Sequence, residues 1–359
     1  MIRFIIHRLL NGFLVIGGVI VILFFLFAVL PADPARMMVG QQADSATVAN
    51  INRELGRDQP MTVQFLAYVN DLSPVSVLSK HSESIFYNDP GKYPGAISLM
   101  ETRTREIVLK APFLRRSYQS KKNVSSIIAE KIPDTAILAL ASILFATFFG
   151  ILLGILSALK KNTVSDRLFL FLSLTGISVP SFFASILFAW FFGFILSNIT
   201  GLNMTGGLYE IDAFRGTYIE WKNLILPAIV LGLRPMAIIV QLMRSSMLDV
   251  LSQDYIRTAR AKGLPARRIV LRHALQNALN PVVTSISGWL GSLLAGAVFV
   301  EFIFGWNGIG KLTVTALENY DLPVVTGIVL FISIVFIFLN ILADVMNGIL
   351  DPRIRLSNR

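Results

Sequence analysis

Six long apolar stretches, separated by polar segments, run along the chain: about Leu9–Leu30, Thr135–Leu159, Leu168–Leu196, Asn223–Met243, Pro281–Val300 and Pro323–Ala343. A helix crosses a bilayer with about 20 mainly apolar residues, so each stretch predicts a membrane span. The first follows Arg3 and Arg8 in the manner of a secretory signal. Its apolar core exceeds the about 7–15 residues of such a signal, which predicts an uncleaved first span. In the third stretch, Pro180 follows Gly176 and predicts a kink, either a gating bend or a packing feature. The chain is therefore expected to be an all-α, polytopic membrane protein. Its expected divisions are residues 1–30 (N-terminal end and first span), 31–134 (a long polar segment), 135–350 (the remaining spans) and 351–359 (a tail).

Composition agrees. Of 359 residues, 54% are hydrophobic and 15% charged, against about 25% charged in soluble domains. The distribution of charge orients the spans, because short cytoplasmic loops are enriched in Lys and Arg. The N-terminal eight residues carry +2, Lys160–Arg167 +2, Arg244–Arg272 +5 and Asp344–Arg359 +1, which together account for the whole net charge of +10. The alternate segments nearly cancel: +2 over Pro31–Asp134, zero over Asn198–Pro235 and −2 over Glu301–Asp321. Both termini are thus expected in the cytoplasm. The long segment Pro31–Asp134 is expected outside, since long loops cross largely regardless of charge. The basic excess needs no nucleic-acid partner.

Catalytic chemistry finds few groups. The sequence has no cysteine, and its histidines, His7, His81 and His273, all lie outside the apolar stretches. Neither Gly-x-Ser-x-Gly nor His-Glu-x-x-His occurs. A membrane-embedded enzyme is therefore not expected, nor a metal site or cofactor. The stretch GWNGIGKLT, Gly305–Thr313, imitates a phosphate-binding loop, but Leu312 stands where Mg²⁺ needs a hydroxyl. It is read as a Gly-rich turn on the outside.

The inside loop Leu251–Pro281 carries more information. Ser252 is placed to cap a helix whose first turn holds Asp254, and Gly263 followed by Pro265 is a stop signal. A short helix is expected over Asp254–Lys262. Its small face, Ala259 and Gly263, flanked by Arg257, Arg260 and Lys262, suits close seating on a partner. An ordinary basic loop is the alternative. In mid-span, Arg234 is costly in hydrocarbon by at least about 2.5–3.5 kcal/mol. It faces a water-filled path, pairs with an acid, or snorkels to an interface by way of a helix shifted at Pro227 and Pro235.

The stretch DYIRTARAKGLPARRIVLRHALQNALNP resembles the cytoplasmic coupling loop of ABC-importer permeases of the dipeptide/oligopeptide branch. LPADPAR, RELGRDQPMTVQFL, LRRSYQ, KIPDTAILALAS, RSSMLDVLSQDY, VEFIFGWNGIGKL, DLPVV and DPRIR follow the same order. The resemblance covers nearly the whole chain outside about Ser73–Phe113. It implies the six-helix type I importer permease fold in the cell inner membrane, paired with a second, homologous permease. It also implies two cytoplasmic ATPase subunits, an external substrate-binding protein and a peptide substrate. Asp254, Arg257, Ala259, Arg260, Lys262 and Gly263 would couple to the ATPases, and Arg234 would meet a peptide carboxylate. Four features depart from the pattern: Arg257, Thr258 and Ala259 replace the general Glu-Ala-Ala; Asn307 replaces a Pro; Ala32 replaces a Gly; and Ser73–Phe113 is inserted. The insertion either enlarges a docking surface or is a solvated loop. A nickel importer is the rival within the branch. Nickel favours imidazole and the spans hold no His, although a chelated metal would pass without it.

Overall fold

The computed structural model describes residues 2–29, 52, 57–81, 84–214 and 216–350. Ala32 and the tail Asp351–Arg359 lie outside these residues. The six apolar stretches become four unbroken helices and two bent pairs. The unbroken ones are α1 (Ile2–Val29), α3 (Val124–Leu159), α6 (Lys222–Leu251) and α11 (Leu322–Leu350). One bent pair is α4 (Val164–Ser178) with α5 (Ser181–Trp190), which continues through a π-helical turn to Ile195; the pair is bent by 112°. The other is α8 (Asn280–Gly296) with α9 (Val298–Phe304), bent by 61°. Pro180 cannot donate to the helical ladder, and it stands at the start of α5. The expected kink is thus a full break.

The chain forms two compact units. The first comprises Met1–Leu10, Lys131–Leu312 and Ile334–Arg359. Its centre is α6, whose buried residues occur on most of its circumference: Leu226, Val230, Leu231, Ala237, Ile239, Val240, Met243 and Met247. A helix buried all round needs close neighbours, and glycines admit them. A Cβ on Gly150 of α3 would stand 2.6 Å from Ile239 Cγ2, and one on Gly154 would stand 2.9 Å from the Val240 carbonyl. This small-xxx-small spacing lets two membrane helices approach backbone to backbone. A hairpin, β4 (Tyr209–Asp212) and β5 (Gly216–Ile219), precedes α6.

The second unit comprises Asn11–Glu130 and Thr313–Ser333. After α2 (Met61–Leu72), the strands β1 (Val75–Ser79), β2 (Ile97–Glu101) and β3 (Arg105–Leu109) make an antiparallel sheet in the order β1-β3-β2. Leu78, Tyr93 and Val108 form its core. The inserted segment is therefore a folded module, and the all-α expectation fails there. Alternating burial along β1 is what an antiparallel strand with one packed face requires. Asp71 anchors the module: Tyr93 Oη donates to its carboxylate at 2.6 Å, Lys92 pairs with it at 2.8 Å, and Lys110 Nζ donates to its backbone carbonyl at 2.7 Å.

Candidate functional site

The short helix α7 runs Asp254–Ala261, with Lys262 as its last flanking residue. Gln253, not Ser252, occupies the N-cap, and no side chain caps the helix. The Ser252 hydroxyl instead donates to the Asp249 carbonyl at 2.7 Å, closing the end of α6. Hydroxyls readily bond back to a preceding carbonyl, which removes Ser252 from the capping role. Gly263 has φ +73°, and the amide of Leu264 returns to the Ala259 carbonyl at 3.3 Å. This is a left-handed helix stop that favours glycine. A Cβ added at Gly263 would meet no atom within 4 Å.

The open face of α7 differs from expectation. Asp254, Arg257, Arg260, Lys262 and Gly263 are exposed, but Ala259 is buried. It sits three residues from Ile256, which is fully buried, and residues three apart share a helix face. Both pack in a cluster with Met243 and Met247 of α6 and with Ile269, Ala274 and Ala278 of the following helical run. Ala259 thus faces the chain's own core and is unavailable to a partner. The free face holds Tyr255, Arg257, Thr258, Ala261 and Lys262. Arg257 and Asp254 form a 3.3 Å pair between highly exposed side chains, which contributes little. Beyond Pro265 the run includes a π-helical turn, Ile269–Ala274, a distortion that occurs often at functional positions. Asn277 Nδ2 donates to Tyr255 Oη at 3.0 Å and ties this run back to α7.

Along α6, Arg234 is exposed and has no hydrogen bond or ion pair among the described residues. Pairing with an acid within this chain is therefore absent among the described residues. Gln241 and Ser245 lie seven and eleven residues further on, on the same helix face. Gln241 Nε2 is buried without a hydrogen-bond partner among the described residues. Arg234 thus begins a polar stripe on a membrane helix.

Two buried acids hold the frame. Asp166 of α4 accepts from Arg244 Nε and Nη2 of α6, both at 2.8 Å, from the Asn162 amide at 2.9 Å, and from the Ser157 hydroxyl of α3. This bidentate pair is the strong form of an Arg–carboxylate contact. The second acid, Glu301 of α9, is fully buried and explains the Gly-rich turn. Its Oε2 accepts from the amides of Gly310 at 2.7 Å and Lys311 at 3.3 Å, and its Oε1 accepts from Thr135 Oγ1 at 2.7 Å. Thr135 Oγ1 in turn accepts from the Ile309 amide at 2.8 Å. These amides open α10 (Ile309–Glu318), and a helix N-terminus attracts anions. Here the anion is the chain's own carboxylate. Lys311 Nζ donates to the Gly305 carbonyl at 3.1 Å, and Trp306 Nε1 to the Asp134 carbonyl at 2.8 Å. The turn is a closed internal joint with no room for a nucleotide phosphate. Neither acid had any role in the sequence reading beyond its charge.

Comparison with known proteins places the arrangement. The model of the family "Binding-protein-dependent transport system inner membrane component" matches residues 150–356, and a companion N-terminal model of that system matches residues 1–82. The glutathione transport system permease protein GsiC of Salmonella typhimurium is 34% identical over 356 residues, 99% of each chain. The dipeptide transport system permease protein DppB of Escherichia coli is 34% identical over 373 residues, again 99% of each. The probable D,D-dipeptide transport system permease protein DdpB of Escherichia coli is 36% identical over 357 residues, 95% of this chain and 94% of that one. Among solved structures, an inward-facing MetNI methionine ABC transporter matches with a TM-score of 0.50 at 15% identity, over 62% of this chain and 96% of the other. That likeness is one of fold.

Proposed function

This chain belongs to the family of binding-protein-dependent transport system inner membrane components, and we propose that it is the peptide-importing permease subunit of an ATP-driven complex. It pairs with a second, homologous permease to enclose the path. An external binding protein delivers the peptide, and two separate cytoplasmic ATPase subunits supply the energy. Four helices are long and apolar enough to cross a membrane, and we count each bent pair, whose bend falls inside the third or the fifth apolar stretch, as one further span. That gives six spans, with both termini in the cytoplasm and the long segment between the first two spans outside.

The observation that carries this reading is the mounting of α7. Its outer face is free, while Ile256 and Ala259 lock its inner face to Met243 and Met247 of α6. A contact on α7 is thus delivered to the helix that bears Arg234. Met243 and Met247 lie nine and thirteen residues along α6 from Arg234, about 14 and 20 Å at 1.5 Å per residue. The ATPases act on the free face of α7 at Asp254, Arg257 and Lys262, with Arg260 at its flank and Gly263 at its end, and Arg234 offers its guanidinium to the peptide carboxylate, a pairing that planar geometry favours.

The test is Thr258→Trp, which places bulk on the free face of α7 without entering the core. In the reconstituted complex, peptide uptake and peptide-stimulated ATP hydrolysis should fall at least tenfold while all subunits still insert. Normal uptake with the Trp in place would mean that the ATPases engage elsewhere.

A further inference from the structure

A small cavity of about 90 Å³ lies in the second unit, and no residue of α6 or α7 lines it. Its apolar wall comes from Leu23 and Phe24 of α1 and from Leu322 and Pro323 of α11. Its polar wall comes from Arg57, Arg115, Tyr68 and Tyr118. No carboxylate is among the lining residues.

Tyr68 supplies the second observation. The residue is 7% exposed, and its hydroxyl is buried with no hydrogen-bond partner among the described residues. A buried hydroxyl without a partner is unfavourable by about 1–3 kcal/mol, so its persistence beside a cavity points to a ligand that completes it. Arg115 is held over the Tyr68 ring, 5.1 Å from Cζ to the centroid, and has the left-handed backbone value φ 66°. Non-glycine residues adopt that conformation at a cost, and such sites cluster where ligands are clamped. Asp71 approaches Arg115 only at 3.6 Å, which leaves donors of a five-donor guanidinium for another acceptor.

The position of the cavity selects the source of the acceptor. Leu23 and Phe24 lie near the end of the apolar span Ile6–Leu26, and Leu322 and Pro323 open the span Leu322–Val345. The cavity therefore stands at a membrane boundary, where acyl chains end and headgroup phosphates begin. We propose that it binds the headgroup phosphate of an anionic phospholipid, with Arg115 and the Tyr68 hydroxyl donating to the phosphate oxygens and the α1–α11 wall packing against the first methylenes of its acyl chains. Arginine matches phosphate geometry by its planar fork. The inference is independent of the transported substrate.

The experiment uses the assembled complex in nanodiscs of phosphatidylcholine alone, of phosphatidylcholine with phosphatidylglycerol, and of phosphatidylcholine with inorganic phosphate added. Phosphatidylglycerol should raise the thermal midpoint, and native mass spectrometry should show it retained on the permease. Tyr68→Phe keeps the ring and removes only the orphan hydroxyl. It should weaken lipid retention several-fold, and Arg115→Lys should do the same while keeping the charge. An empty cavity makes the opposite forecast: Tyr68→Phe would melt higher than the parent, with an unchanged phosphatidylglycerol increment, and that result would overturn the proposal. An equal increment from inorganic phosphate in neutral discs would also overturn it, by assigning the site to a free ion.

Discussion

Removing Asp166 should cost more than any exposed charge in this chain, because its carboxylate joins three helices at one point. It is 3% exposed at the side chain, and its partner Arg244 is 21% exposed. Asp166→Ala leaves the Arg244 guanidinium, the Asn162 amide and the Ser157 hydroxyl without their acceptor. Breaking one side of a buried pair costs about 3–5 kcal/mol. The partial exposure of Arg244 lets water recover some of this, so the lower end, about 3 kcal/mol, is expected, or roughly a hundredfold in the folding equilibrium. Arg244→Met should cost a similar amount. The two together should cost about 1–3 kcal/mol less than their sum, since contacting partners are non-additive by that order. The assay is reversible unfolding of the purified chain in mixed micelles, for both single variants and the double variant. Strict additivity, or single losses under about 1 kcal/mol, would refute the view that this pair fastens α3 and α4 to α6.

Three further outcomes are expected. Arg234→Leu should depress peptide uptake by more than tenfold with the complex assembled, and Arg234→Lys should keep more activity because the charge remains; unchanged uptake by the Leu variant would place Arg234 outside the path. Gly263→Ala should destabilise the end of α7 by about 1–2 kcal/mol through its left-handed backbone alone, with no clash because no atom lies within 4 Å of the added carbon; faster hydrogen exchange over α7, with the spans unaffected, is the readout. Burial pushes the Lys110 ammonium down to about 8 from 10.5, with Asp71 opposing the shift and Lys92 adding to it. The unfolded chain then holds more protons between these values, so stability of the inserted module should rise with pH from about 8 to 10.5. Lys110→Met should flatten that rise in thermal melts, and an unaltered slope would show that another group causes it.

The spans were legible because length and apolarity suffice to specify them. The 112° bend from α4 to α5 was not, since Pro180 announces a break but packing sets its angle. The burial of Ala259 was within reach: Ile256, three residues earlier, is the only large aliphatic side chain in Asp254–Ala261 and fixes which face turns inward. The strands at Val75–Ser79 and Arg105–Leu109 are short, and only the first alternates in burial, so neither gives a strong period-two signal beside long helical stretches. The Glu301 and Asp166 joints were beyond reading. Each unites residues far apart in sequence, as with Thr135 and Glu301, and a single charge in an apolar run does not name its partner.

The break at Pro180 also limits where this chain can exist alone. Ser178 and Pro180 are both exposed at the corner between α4 and α5, and a corner interrupts the intrahelical pairing of backbone carbonyls and amides. Hydrocarbon offers those groups nothing, at several kcal/mol for each one left bare. Lipid is therefore a poor solvent for this elbow, whereas water or the backbone of another subunit is a good one. On the proposed reading of this bent pair as one span, a solitary copy diffusing in a bilayer would carry a polar scar on its side. The same scar, once covered, becomes a reason for the assembly to stay together.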